Sequence, residues 1–156
     1  MENLTLAADT IRPELTRIGA LDTILYANFG CCQVTSFPEP TGIGTPGFHI
    51  PAWMNITSID LYNRNSSDIA PTMALYKSDL LPKLLPHQSV WLLPGTFGDL
   101  KTRHANDTQV AARLAKYWHW AQTDTRISGI SPFVWFNGTY GDLGAEGLPQ
   151  SLAVLK

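Results

Sequence analysis

The sequence predicts an α/β protein built on a parallel sheet, and three observations carry that expectation. Four short runs rich in Ile, Leu, Val and aromatic residues are spread along the chain. Near-continuous apolar runs of this kind suit strands covered on both faces, as in a parallel sheet. Stretches with apolar residues at helical spacing lie between them, so strands and helices alternate. The composition agrees: of 156 residues, 44% are hydrophobic and only 15% charged. Disordered chains are polar and highly charged, and this length can bury one core.

Residues 1–20 read as a leading amphipathic helix broken by Pro13. The first strand is expected from Asp22 to Asn28 (DTILYAN). A long connection rich in proline and glycine follows, residues 29–53, and loops of that length are functional or disordered. The second strand is expected from Ile56 to Asn63 (ITSIDLYN). The spacing of Ile69, Met73, Tyr76, Leu80 and Leu84 predicts a helix from Asp68 to Leu85. Ser67 or Asp68 would cap it, and Pro71 fits its first turn. The third strand, Ser89 to Leu93, stops at Pro94-Gly95. A helix from Asp107 to Ala121 follows, capped by Asn106 or Asp107, with Val110, Leu114, Tyr117, Trp118 and Ala121 at helical spacing. The fourth strand runs from Ile127 to Phe136, interrupted by Pro132, and Leu148 to Lys156 reads as a last helix. No internal repeat, low-complexity tract or linker is present, so residues 1–156 are expected to form a single domain.

Several functions are disfavoured on composition and spacing. A formal net charge of −2 with no basic block gives nucleic acid no electrostatic footprint. No apolar run reaches the ~18 residues a membrane-spanning helix needs. Gly42-Ile43-Gly44-Thr45-Pro46-Gly47 has dinucleotide-loop spacing, but Pro46 and the lack of a following helix argue against that role. No phosphate-loop lysine motif or Gly-x-Ser-x-Gly elbow occurs. His49, His87, His104 and His119 lack metal-ligand spacing, and two cysteines exclude a cysteine-only zinc site. No metal and no cofactor are expected. Cys31 and Cys32 are adjacent, where a bridge is strained, so free or unmatched thiols lead, with a vicinal bridge and then a catalytic or metal role behind them. The Cys-x-x-Cys spacing of redox sites is absent.

Five Asn-x-Ser/Thr matches occur, at Asn3, Asn55, Asn65, Asn106 and Asn137. Together they point to a secretory, glycosylated history, with Asn3 at the terminus and Asn55 beside a strand the weakest. The opening residues show no signal peptide, so an N-terminal part is expected to precede them.

The strand ends carry polar and aromatic residues after apolar runs. They are Asn28 after ILYA, Asp60 and Tyr62 in SIDLYN, Thr96 and Phe97 in LLPGTFG, and Trp135 with Asn137 in GISPFVWFNG. This layout resembles strands five to eight of a (β/α)8-barrel glycoside hydrolase. The stretch AKYWHWAQTDTRISGISPFVWFNG, a Trp-rich helix leading into a strand, is its most specific part. The resemblance implies a parallel (βα)4 half of a TIM-type barrel, incomplete as a lone chain, with its site at the C-terminal strand ends. It implies a secreted protein that hydrolyses or binds a glycan. Asp60 would be the catalytic carboxylate. Asn28, Tyr62, Thr96, Phe97, Trp135 and Asn137 would hold the sugar, Trp135 by stacking. A missing N-terminal half or a second copy would close the barrel.

The sequence also departs from the family. Its retaining members carry Asn-Glu after strand four and a Glu after strand seven. Strand four falls outside this sequence, and Pro94-Gly95-Thr96-Phe97 stands after strand seven. Glycoside hydrolysis ordinarily needs two carboxylates, about 5–9 Å apart. A degenerate, non-catalytic barrel serving as a glycan-binding or interaction protein is therefore the alternative, with a cytosolic small-molecule enzyme behind it. Each residue also has a structural reading. Asp60 could be tied to backbone N–H groups or to Arg64, and Tyr62 and Trp135 could be core. Trp91 is expected in the core. Trp118 and Trp120, two apart on a helix, should face different sides, one core and one exposed. Trp53 and His49 border the long loop and could reach a cleft, and His87 is expected in a surface turn.

Overall fold

A computed structural model of the chain describes residues 2–20, 22–30, 49–60, 68–96, 106–133 and 147–156. Its elements are α1 (Glu2–Arg17), β1 (Tyr26–Gly30), β2 (Ile56–Asp60), α2 (Ala70–Leu75), β3 (Ser89–Leu92), α3 (Asp107–Thr123), β4 (Ile127–Ile130) and α4 (Pro149–Leu155). The α/β alternation and the parallel sheet expected from the sequence are present.

Several boundaries differ from the sequence reading. Pro13 lies inside α1 and does not end it. The first strand starts at Tyr26, four residues late, and takes in Phe29 and Gly30. The reason is Asn55: its Oδ1 accepts the Leu25 N–H at 3.0 Å, while Leu25 O accepts the N–H groups of Asn55 and Ile56 at 2.9 and 3.1 Å. Strand pairing proper then begins at Tyr26↔Ile56. Residues 31–48, 61–63 and 134–136 of the expected loop and strands lie outside the described residues. The helix expected over 68–85 is α-helical only as α2, then widens to a π segment (Tyr76–Leu80) and tightens to a 3-10 turn (Leu81–Lys83). Pro82 explains the change: it lacks an N–H and crowds the carbonyl four residues back. Ser67 lies outside the described residues, and Asp68 is not the cap; Ile69 takes that position, although Asp68 Oδ1 accepts the Ala70 N–H at 2.9 Å. Asn106 caps α3 through a full capping box with Gln109.

The strands lie in sequence order, β1-β2-β3-β4, all parallel. Parallel crossovers are almost always right-handed. A common direction puts α2 and α3, the helices of the two described crossovers, on one face of the sheet. Phe29, Ile59, Val90, Leu92 and Ile127 meet Ile69, Tyr76, Leu80, Tyr117 and Trp120 there in one core. Ile50 and Met54, just before β2, close its lower end. Among the described residues no helix packs on the opposite face. Trp91, expected in the core, lies on that face at 37% exposure. Trp120 is buried and Trp118 exposed, as the spacing required.

Pairing between β2 and β3 is short, limited to Ile56↔Ser89 and Thr57↔Val90. Beyond it, the buried Tyr76 hydroxyl stands in for a strand: it accepts the Ile59 N–H at 3.1 Å and donates to Ile59 O at 3.0 Å. Its ring packs edge-on against Trp120, with centroids 5.5 Å apart. Losing the hydroxyl strands two buried backbone groups, each costing about 1–3 kcal/mol. Tyr76→Phe should therefore destabilise the chain by roughly 2–4 kcal/mol in urea unfolding, far more than an exposed Tyr→Phe change.

Beside the apolar packing of Val154 and Leu155 on Val110 and Leu114, one carboxylate ties α4 to α3. Asp107 Oδ2 accepts the Gln150 N–H at 2.8 Å, and Oδ1 accepts the Ser151 N–H at 2.9 Å and its hydroxyl at 2.8 Å. Burial raises the Asp107 pKa, but these three donors outweigh it and leave the carboxyl below the usual 3.8. A depressed carboxyl stabilises the fold above its unfolded value and loses that effect as pH falls through the folded one. Amide protection in α4 should thus hold above pH 3.8 and drop below it. Hydrogen exchange across that range checks this, and Asp107→Asn should remove the acid dependence.

Candidate functional site

In an open or closed parallel sheet of this kind, ligands bind beyond the carboxyl ends of the strands. Here those ends are Gly30, Asp60, Thr96 and Phe133. Asp60 closes β2 in register with Gly30. β3 and β4 continue past their regular ends through a parallel bridge, Gly95↔Phe133, in which the Thr96 N–H donates to Phe133 O at 2.6 Å and the Phe133 N–H to Pro94 O at 3.0 Å. Thr96 is fully buried in this bridge.

Arg113 fixes the exit of β3 from the helical layer. Its guanidinium Nη2 donates to Gly95 O at 2.7 Å, and the side chain is fully buried. Burial lowers its pKa, and the nearby Tyr117 offsets part of that effect. A buried cation is costly unless bonded, so the Gly95 carbonyl and the guanidinium hold one another in place. The signal for Arg113 was in the sequence: it lies on the same helical stripe as Val110, Leu114 and Tyr117.

On the uncovered face, Asn28 and Ser58 are register partners in β1 and β2. The Ser58 hydroxyl donates to Asn28 Oδ1 at 2.8 Å and lies 2.5 Å from the Tyr26 hydroxyl. Asn28 and Tyr26 are exposed, whereas Ser58 is buried beneath them. The Tyr26 ring lies 5.7 Å from that of Trp91, across β2. Ser89 and Ser128 pair their hydroxyls at 2.7 Å beside it. Hydroxyls, an amide and two rings form a neutral polar-aromatic surface able to trade hydrogen bonds with a polyhydroxylated ligand and to cover its apolar faces.

Of the residues predicted for the site, Asn28 stands on this face, Asp60 at the β2 exit and Thr96 at the β3 exit. Tyr62, Phe97, Trp135 and Asn137 lie outside the described residues, as do Arg64, Cys31 and Cys32. Tyr26, Ser58, Trp91 and Arg113 are additions. Trp53 is half-buried against the core. His87 sits in an exposed turn as expected, its Nε2 2.7 Å from Ala52 O. His49 is exposed. A cleft of about 600 Å³ opens between α2 and α3, lined by Ile69, Met73, Lys116, His119 and Trp120. It belongs to the helical layer, and Asp68 is the only carboxylate lining it among the described residues. Among the described residues no group of His, Cys, Asp or Glu could hold a metal ion, and no helix is long and apolar enough to cross a membrane. Compared with known proteins, the chain matches no family model, no curated protein and no solved structure.

Gly129 lies where the Trp91 ring covers β4. A Cβ there would come within 2.8 Å of Trp91 Nε1 and 3.0 Å of Cδ1. Gly129→Ala should cost about 1–3 kcal/mol through overpacking. Trp91→Leu in the same chain should recover most of that loss, and a double-mutant cycle by denaturant unfolding would show the coupling.

Proposed function

We propose that the chain is a (βα)4 half of a TIM-type barrel and a glycoside hydrolase-like protein, acting on or binding a glycan at its strand exits. The observation that carries this reading is the sequential parallel order β1-β2-β3-β4. Barrels wind in that order, and the resemblance of GISPFVWFN to a last barrel strand points the same way. In this reading Asp60 is the catalytic carboxylate. Asn28, Tyr62, Phe97 and Asn137 bond sugar hydroxyls or cover ring faces, Trp135 stacks, and Thr96 forms the buried floor. Neither β1 nor β4 has a second strand partner among the described residues. An N-terminal half or a second copy would pair with both edges, since about eight strands close such a barrel. The five Asn-x-Ser/Thr matches support a secreted protein.

A second reading rests on a specific feature: Pro94-Gly95-Thr96-Phe97 puts no Glu after β3. It makes the chain a degenerate barrel that binds glycan without hydrolysing it. Calorimetry and reducing-end release against an oligosaccharide panel separate the two, because binding without release selects the second. In the complete protein, Asp60→Asn should lower turnover by about 10²–10⁴-fold if Asp60 is the acid/base group. In the non-catalytic reading it should lower sugar affinity instead. Unchanged turnover and unchanged affinity would overturn the assignment of Asp60.

A further inference from the structure

The five Asn-x-Ser/Thr matches are not equivalent once folded, and the structure separates the two whose side chains it describes. Asn55 is half-buried. Its Oδ1 accepts from Leu25 N at 3.0 Å and from Arg12 Nη2 at 3.1 Å, and Arg12 also donates to Trp53 O at 2.7 Å. The Thr57 that completes its motif is 1% exposed on the core face of β2. A transferase that must reach both the Asn55 amide and the Thr57 hydroxyl finds the second closed off once β2 has formed.

Asn106 is built the other way. It is exposed, and it is the N-cap of α3. The capping box engages its oxygen, which accepts the Gln109 N–H at 3.0 Å, and its backbone N–H, which donates to Gln109 Oε1 at 3.0 Å. The side-chain nitrogen has no part in the cap. An N-linked sugar leaves the amide oxygen free to accept, so cap and glycan are compatible at one residue. Thr108, which completes the motif, is exposed too.

We propose that Asn106 is an acceptor for an N-linked glycan and that Asn55 is closed to one in the folded chain. This rests on the secretory reading above. The donor is a lipid diphosphate-linked oligosaccharide. Nδ2 attacks the sugar C1, a C1–N bond forms, the C1–O bond to diphosphate breaks, and the lipid diphosphate leaves while Nδ2 gives up one proton. α3 begins where the chain returns from the β3 exit, and its Arg113 reaches Gly95 there. The glycan would therefore project from the same end of the sheet as the proposed site.

The test is expression of the full chain behind a cleavable signal peptide in a glycosylating eukaryotic host. Peptides are mapped after amidase release of glycans in heavy-oxygen water. Occupied Asn106 with unoccupied Asn55 in secreted protein is the expected result. Asn106 is read in the microsomal fraction as well, so a retained chain still reports on it. Asn106→Asp keeps a good N-cap and should lose one glycan's mass with no loss of thermal stability. Unmodified Asn106 in both fractions, or an Asn106→Asp chain of unchanged glycan mass, overturns the acceptor. Glycan on Asn55 of secreted protein overturns the closure. Because the host imposes the compartment, these outcomes are independent of where the native chain resides. Glycosidase treatment of native protein tests that separately.

Discussion

The direction of winding is the constraint on which the other features depend. Each strand is laid beside the last, always on the same side, and right-handed crossovers then have only one face on which to set their helices. The core of Phe29, Ile59, Val90, Leu92 and Ile127 follows from that, because only alternate positions of each strand meet a helix. The other positions are released from packing duty. They carry Tyr26, Asn28, Ser58, Ser89 and Trp91, a set no apolar core would hold without partners. Winding also gathers all four exits at one end, where the chain segments of least regular sequence leave the sheet.

Two buried polar side chains make this arrangement workable. Tyr76 supplies the bonds that Ile59 does not get from β3, and Arg113 supplies one to the Gly95 carbonyl. Both come from the helical layer and both end on backbone atoms. They join layer to sheet by direction-dependent contacts, where apolar packing alone would allow sliding.

Local signals were legible and distant ones were not. α3 could be read almost to its ends, because its apolar stripe and its Asn106 cap lie within one short stretch of sequence. The strand centres were legible for the same reason. The start of β1 was misplaced because Leu25 looks like a strand residue, while the side chain that claims its backbone, Asn55, is thirty residues away. Trp91 was expected in the core because an aromatic residue between Val90 and Leu92 looks buried; which face lacks helices is set by strand order, not by the strand itself. The π segment after α2 depended on Pro82, whose effect falls upstream of it. Of the candidate site, Asn28 was visible as a polar residue after an apolar run. Its partnership with Ser58 and Tyr26 needed the register of two strands.

The Tyr76 bridge has a mechanical meaning as well as an energetic one. β1 and β2 share a ladder over all of β1, and β3 and β4 share one with a bulge at Val90/Trp91, but the two ribbons meet over only two register pairs. Above those pairs the join is a phenol on a helix. The middle seam of the sheet is thus shared between two register pairs and a side chain of the helical layer.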